Sequence, residues 1–173
     1  NPSGKLPTTF PKRLEDNPSY GNFPGNDNVV QYKEGIFVGY RHYDQRGIEP
    51  LFPFGHGLSY TTFKYGNMEV EPAAGTAGTT VAVSFDIENT GATEGQEVAQ
   101  LYVSDADCSL ERPPRELKGF AKVRLKPGER KRVILRLGND AFSFYDLARM
   151  GWVAEPGGFY ILVGSSSRDL PLK

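Results

Sequence analysis

Between residues 80 and 88 the chain alternates without a break, with Val81, Val83, Phe85 and Ile87 on one side and Ala82, Ser84, Asp86 and Glu88 on the other. That period of two predicts a half-buried antiparallel strand. Residues 97–104 repeat it, placing Ala99, Leu101 and Val103 inward and Gln100 and Tyr102 outward, and residues 130–137 set Lys131, Val133, Leu135 and Leu137 against Arg130, Arg132, Ile134 and Arg136. Residues 62–70, 116–125, 141–145 and 159–164 read as further strands. Turn formers separate them, at 72–78, 89–95, 105–114, 126–129, 138–140, 146–151 and 155–158. About seven short strands at turn-separated intervals predict an all-β, immunoglobulin-like antiparallel β-sandwich. The run Arg130-Lys131-Arg132 then reads as the solvated end of a strand, where cations discourage edge pairing.

Upstream the pattern fails. Residues 1–31 hold five prolines and three glycines with no sustained period, so an irregular N-terminal arm is expected, tied down by Phe10, Tyr20 and Phe23. Residues 35–43 alternate Ile36, Val38 and Tyr40 against Phe37, Gly39 and Arg41, the mark of an edge strand or an extended arm. Residues 48–63 combine Pro50, Pro53, Gly55 and Gly57 with Phe52, Phe54, Leu58, Tyr60 and Phe63, which excludes a helix. Pro53, Phe54, Gly55, His56 and Gly57 are expected to form a fixed, packed corner, with His56 donating to backbone carbonyls. The arm is placed at residues 1–58 and the sandwich at 59–173.

Composition narrows the function classes. The 173 residues carry a net charge of -1, which provides no field to attract nucleic acid or an anionic membrane. No apolar run is long enough to span a bilayer, and no signal peptide is read at the N-terminus. Cys108 is the single cysteine, which excludes an internal disulfide and a Cys-based metal site. Asn1-Pro2-Ser3 and Asn17-Pro18-Ser19 have proline in the middle and are not glycosylation acceptors.

Candidate chemistry is sparse. Paired carboxylates for glycoside cleavage would have to come from Glu34, Asp44 and Glu49, which have no pocket built around them. His42 and His56 lack metal-site company, and Asp105, Asp107 and Glu111 lack the ligand ladder and glycine of a calcium loop. No phosphate-binding glycine loop precedes a helix. No catalytic residue, metal site or cofactor is assigned. What remains is binding by aromatic faces on a rigid scaffold, with Trp152, Tyr145, Tyr102, Tyr43, Tyr40 and Tyr20 as candidates for contact with cellulose, xylan or lignin. Tyr102 also fits a cross-strand packing role, and Trp152 a lid over one end of the core.

The stretches Tyr32-Lys-Glu-Gly-Ile-Phe-Val-Gly-Tyr-Arg-His-Tyr-Asp44 and Glu49-Pro-Leu-Phe-Pro-Phe-Gly-His-Gly-Leu-Ser-Tyr60, with Asn89-Thr-Gly91, Gln100-Leu-Tyr-Val103, Glu116-Leu-Lys-Gly-Phe120 and Leu125-Lys-Pro-Gly-Glu129, resemble the C-terminal part of family-3 glycoside hydrolases, the β-glucosidases and β-xylosidases. The resemblance implies that residues 1–58 correspond to the tail of that family's α/β sandwich domain and the remainder to its fibronectin type III-like domain. It also implies that the nucleophilic Asp and the acid/base Glu lie upstream, so none carries over. The expected role is a non-catalytic accessory module of a secreted β-glucosidase, partnered by its catalytic domains, with weak polymer binding. The alternative is a piece of an intact enzyme whose arm shapes the rim of the sugar site.

Overall fold

The computed structural model describes residues 1–75 and 78–173; the central part of the loop expected at 72–78 lies outside them. Six strands form two antiparallel three-stranded sheets. One runs β1 (Phe63–Glu71), β2 (Val81–Asn89), β5 (Arg130–Leu137); the other runs β4 (Glu116–Leu125), β3 (Gly95–Asp105), β8 (Phe159–Gly164). The alternation explains the layering: Val83, Phe85 and Ile87 of β2 meet Ala99, Leu101 and Val103 of β3 in one buried core, closed by Leu125, Val133, Leu137 and Val163. The all-β sandwich expected from the pattern is the fold. β6 (Phe144–Asp146) and β7 (Gly151–Val153) pair as a separate hairpin, which raises the strand number to eight among the described residues.

Charges at the sheet edges are paired across strands. On edge strand β5, Arg130 reaches Glu88 and Arg132 reaches Asp86, while both guanidinium groups keep contact with solvent. Asn89 is more deeply placed. Its side chain is fully buried, its amide donates to Thr93 O at 2.9 Å and Leu125 O at 3.0 Å, and its carbonyl accepts from Thr61 Oγ1 at 2.5 Å and Gly91 N at 3.1 Å. Replacing it strands several buried partners, so Asn89→Ala should cost about 2 kcal/mol in urea unfolding.

The arm departs from the expectation at residues 35–43. In place of a strand, Tyr40–Arg46 is a helix, α1, entered through Gly39 at φ 54° and closed by Gly47 at φ 63°. The apparent alternation was carried across Gly39, whose conformation breaks an extended run. A two-residue bridge joins Phe10 to Phe52, so the arm folds back on the corner. Phe23 is exposed and does not anchor the arm as expected, whereas Phe10 packs edge-on against Phe52 at 6.2 Å.

Candidate functional site

The arm lies on the outer face of sheet β4-β3-β8, where β3 presents polar side chains away from the core. Tyr40 stacks on Phe54 at 5.0 Å and meets Tyr102 edge-on at 5.8 Å. Tyr102 Oη donates to Gln100 Oε1 at 2.6 Å, and Gln100 Nε2 donates in turn to Gly55 O at 3.2 Å and Ser165 O at 2.7 Å. Leu117 N donates to Tyr40 Oη at 2.9 Å, and Ser167 N to Phe54 O at 2.9 Å. Gln100 and Tyr102 do point away from the core, as the period predicts, but the arm covers them. Tyr102 is 0 % exposed and Tyr43 3 % exposed, which withdraws both from any polymer-binding surface. Burial pushes the Tyr102 hydroxyl pKa well above its ordinary value.

Ion pairs complete the seam. Asp44 of α1, 1 % exposed at its side chain, sits between Arg115 Nε and Arg168 Nε, each 3.0 Å from one carboxylate oxygen. Neither contact has hydrogen-bond alignment, so the attraction is electrostatic. Burial raises the Asp44 pKa, and the two guanidinium groups offset only part of that rise. Arg168 also donates to Ile48 O at 3.0 Å. Arg41 of α1 lies 3.2 Å from Glu116, which Arg112 holds at 2.6 Å while also reaching Asp105 at 3.0 Å. At the chain's start, Lys5 pairs with Glu97 at 2.7 Å, and Tyr65 donates to the same carboxylate.

The carboxylates considered for catalysis are thereby accounted for by structure. Asp44 is clamped; Glu34, expected to have no pocket, lines an open cleft beside α1 and accepts from Asn22 at 2.9 Å; Glu49 is exposed 3.8 Å from Arg168. Asp105 belongs to the Arg112 ion pair, and no group of three or more His, Cys, Asp or Glu among the described residues is arranged to hold a metal. The corner of Pro53, Phe54, Gly55, His56 and Gly57 is non-helical and packed, with Gly55 at φ 80°. His56 works differently from the expectation. Its ring stacks on Phe52 at 5.2 Å, and it is the His56 carbonyl that accepts from Leu6 N at 2.8 Å.

Among the described residues, exposed apolar side chains gather most densely on two surfaces. Trp152, 73 % exposed, and Tyr145, 42 % exposed, face each other on the β6-β7 hairpin at 5.8 Å and 80°, flanked by exposed Leu147 and Met150. The ring of Trp152 therefore stands in solvent and does not cap the core. The perpendicular pair cannot form the flat two-ring platform that a crystalline polymer face would need. The second surface is the arm. Of 21 exposed large hydrophobic side chains among the described residues, 13 fall between Phe10 and Tyr60, Tyr20 included. Tyr40 is half-buried within the seam.

The comparisons with known proteins agree with this architecture. A fibronectin type III-like domain family matches residues 97–167, from within β3 through the turn after β8. The thermostable β-glucosidase B of Acetivibrio thermocellus is 54 % identical over 173 residues, which is 100 % of this chain and 23 % of that protein. The crystal structure of the Bifidobacterium adolescentis GH3 β-glucosidase superposes on 99 % of this chain and 25 % of its own, with a TM-score of 0.92 at 40 % identity. The chain matches the C-terminal part of the family-3 glycoside hydrolases. It spans about a quarter of the length of these relatives. β-Glucosidase 3B of Thermotoga neapolitana, solved in complex with α-D-glucose, superposes over 99 % of this chain with a TM-score of 0.88 at 43 % identity. Both superpositions take in arm and sandwich together.

Proposed function

We propose that this chain is a non-catalytic accessory module of a secreted family-3 β-glucosidase. Its arm is held on the sandwich by one face and packs its other face against the enzyme's catalytic domains, which it stabilises. The observation that carries the reading is the concentration of exposed apolar side chains in residues 10–60, on a segment whose opposite face is engaged in the seam through Asp44 and Gly55. Surfaces of that kind on a soluble domain mark an interface. Nucleic acid and membrane are not partners in this reading, in keeping with the net charge of -1. The test is complementation: a relative truncated before the segment equivalent to residue 1 should regain β-glucosidase activity and thermal half-life when the chain is added.

The hairpin supports a second, weaker role in contact with plant cell-wall polymer. A single stacked Trp152 with Tyr145 beside it suits one sugar or phenolic ring at a time. In a pull-down with cellulose, xylan and lignin, Trp152→Ala should lose most of the retained protein while Tyr20→Ala changes little. Equal retention of Trp152→Ala and the parent chain would remove the hairpin from consideration.

A further inference from the structure

Strand β4 forms one edge of its sheet, pairing with β3 and with no other strand among the described residues. Val163 spends both of its backbone bonds on Leu172, so its partner across the ladder, Leu101, bonds toward β4 and the next residue, Gln100, toward β8. Phe120, opposite Gln100, therefore turns its N–H and C=O away from β3, and the period of two sends those of Lys122 and Arg124 the same way. Side chains already occupy the two ends of this open row, Lys131 Nζ donating to Arg124 O at 2.7 Å and Tyr40 Oη accepting from Leu117 N at 2.9 Å. Between them the backbone groups of Phe120 and Lys122 have no protein partner among the described residues. Beside the row runs a cleft of about 400 Å³, lined by half-buried Leu117, Lys118, Gly119 and Leu135 and by exposed Phe120 and Arg136.

Charge decides what can fill the row. The lining carries two cations and no acid. Lys118 lies 3.7 Å from Glu116, but Arg112 holds that carboxylate at 2.6 Å and Arg41 faces it at 3.2 Å, so one acid is shared among three cations. Exposed Lys122 and Arg136 make no ion pair among the described residues. A second copy paired antiparallel about Phe120 would set Lys118 opposite the same strand's Lys122, which repels. An extended segment with carboxylates on one face meets these cations and completes the ladder, while apolar side chains on its other face enter beside Leu117 and Leu135. We infer that the open edge of β4 binds an acidic extended peptide by strand addition, with Phe120 and Lys122 supplying the backbone bonds and Lys118, Lys122 and Arg136 the opposing charge. None of the six lining residues belongs to the arm, so the inference goes beyond the docking role. The two fail separately: titration of the chain alone reads the edge, complementation reads docking.

The experiment is an NMR titration of the ¹⁵N-labelled chain with a blocked peptide that alternates glutamate and valine. Saturable shifts should centre on the amides of Phe120 and Lys122 and extend to Leu135 and Arg136. The same peptide methylated on alternate backbone nitrogens keeps its charges but cannot extend the ladder, and a peptide alternating lysine and valine extends the ladder but is repelled. Each should bind about tenfold more weakly. Lys122→Glu, at an exposed side chain, should also lower affinity about tenfold, and Phe120→Ala provides a second, uncharged variant with a smaller loss. Trp152→Ala should leave affinity unchanged. No saturable shift, equal binding of the methylated or the lysine peptide, or shifts at Phe120 and Lys122 that follow the concentration of the chain alone, as pairing between copies would give, would each overturn the assignment.

Discussion

Arg168→Ala should lower the stability of the chain by about 3 kcal/mol at neutral pH, because it leaves the buried Asp44 carboxylate with only one of its two cations. It also removes the hydrogen bond to Ile48 O that fixes the end of α1. The loss should appear first as arm release, with proteolysis concentrating in residues 1–58 while the sandwich stays protected. The pH dependence has a definite sign. Asp44 already has a folded-state pKa above its ordinary value, and loss of Arg168 removes one of the charges that lower it. A carboxyl whose folded pKa exceeds its unfolded pKa binds protons more tightly when folded. The penalty is therefore full above the folded pKa and shrinks as pH falls through it toward the unfolded value. Acidification should partly rescue Arg168→Ala, and Asp44→Asn combined with it should rescue it at neutral pH. Thermal melts of the two variants across pH check both; a penalty that is flat with pH would show that Asp44 is not the group at stake.

Gly55→Ala should be comparably damaging, at about 3 kcal/mol. Gly55 has φ 80°, where a Cβ is strained by about 1–2 kcal/mol. The added carbon would also lie 2.2 Å from Gln100 Oε1 and 2.4 Å from Gln100 Nε2. Gln100 is buried and bonded to Gly55 O, Ser165 O and Tyr102 Oη, so its displacement breaks a connected set of hydrogen bonds. The neighbouring Gly57→Ala meets Gly4 O at 2.5 Å and should loosen the first residues as well. Amide exchange at Gln100 and Ser167 reads the seam directly.

Much of the sandwich was legible from local pattern, and the reason is visible in β2, β3 and β5. A strand with one buried face must alternate, so Val83, Phe85, Leu101, Val133 and Leu137 could be assigned before any contact was known. The same rule stopped short at Tyr102 and Gln100. It gave their direction, but what lies on that side of β3 is decided by residues 40–55, which carry no period of their own. Helix α1 was missed because the alternation of Ile36, Val38 and Tyr40 runs through Gly39, and only the positive φ there separates coil from helix. Asp44 could be listed as an acid but not as a clamp, since Arg115 and Arg168 reach it from far along the chain. For Trp152 the sequence left a lid and a platform open. The hairpin geometry decides for exposure, and the ring planes at 80° decide against a flat platform.

In the proposed role the chain contributes docking and stability to a family-3 β-glucosidase and no catalytic group of its own. The most direct measurement is aryl β-glucoside hydrolysis by a relative lacking the equivalent segment, with and without the 173-residue chain, beside the chain alone. Restored turnover and a longer thermal half-life in the mixture, with none from the chain alone, is the predicted result. Turnover by the chain alone, or a mixture no more active and no more stable than the truncated enzyme, would contradict it.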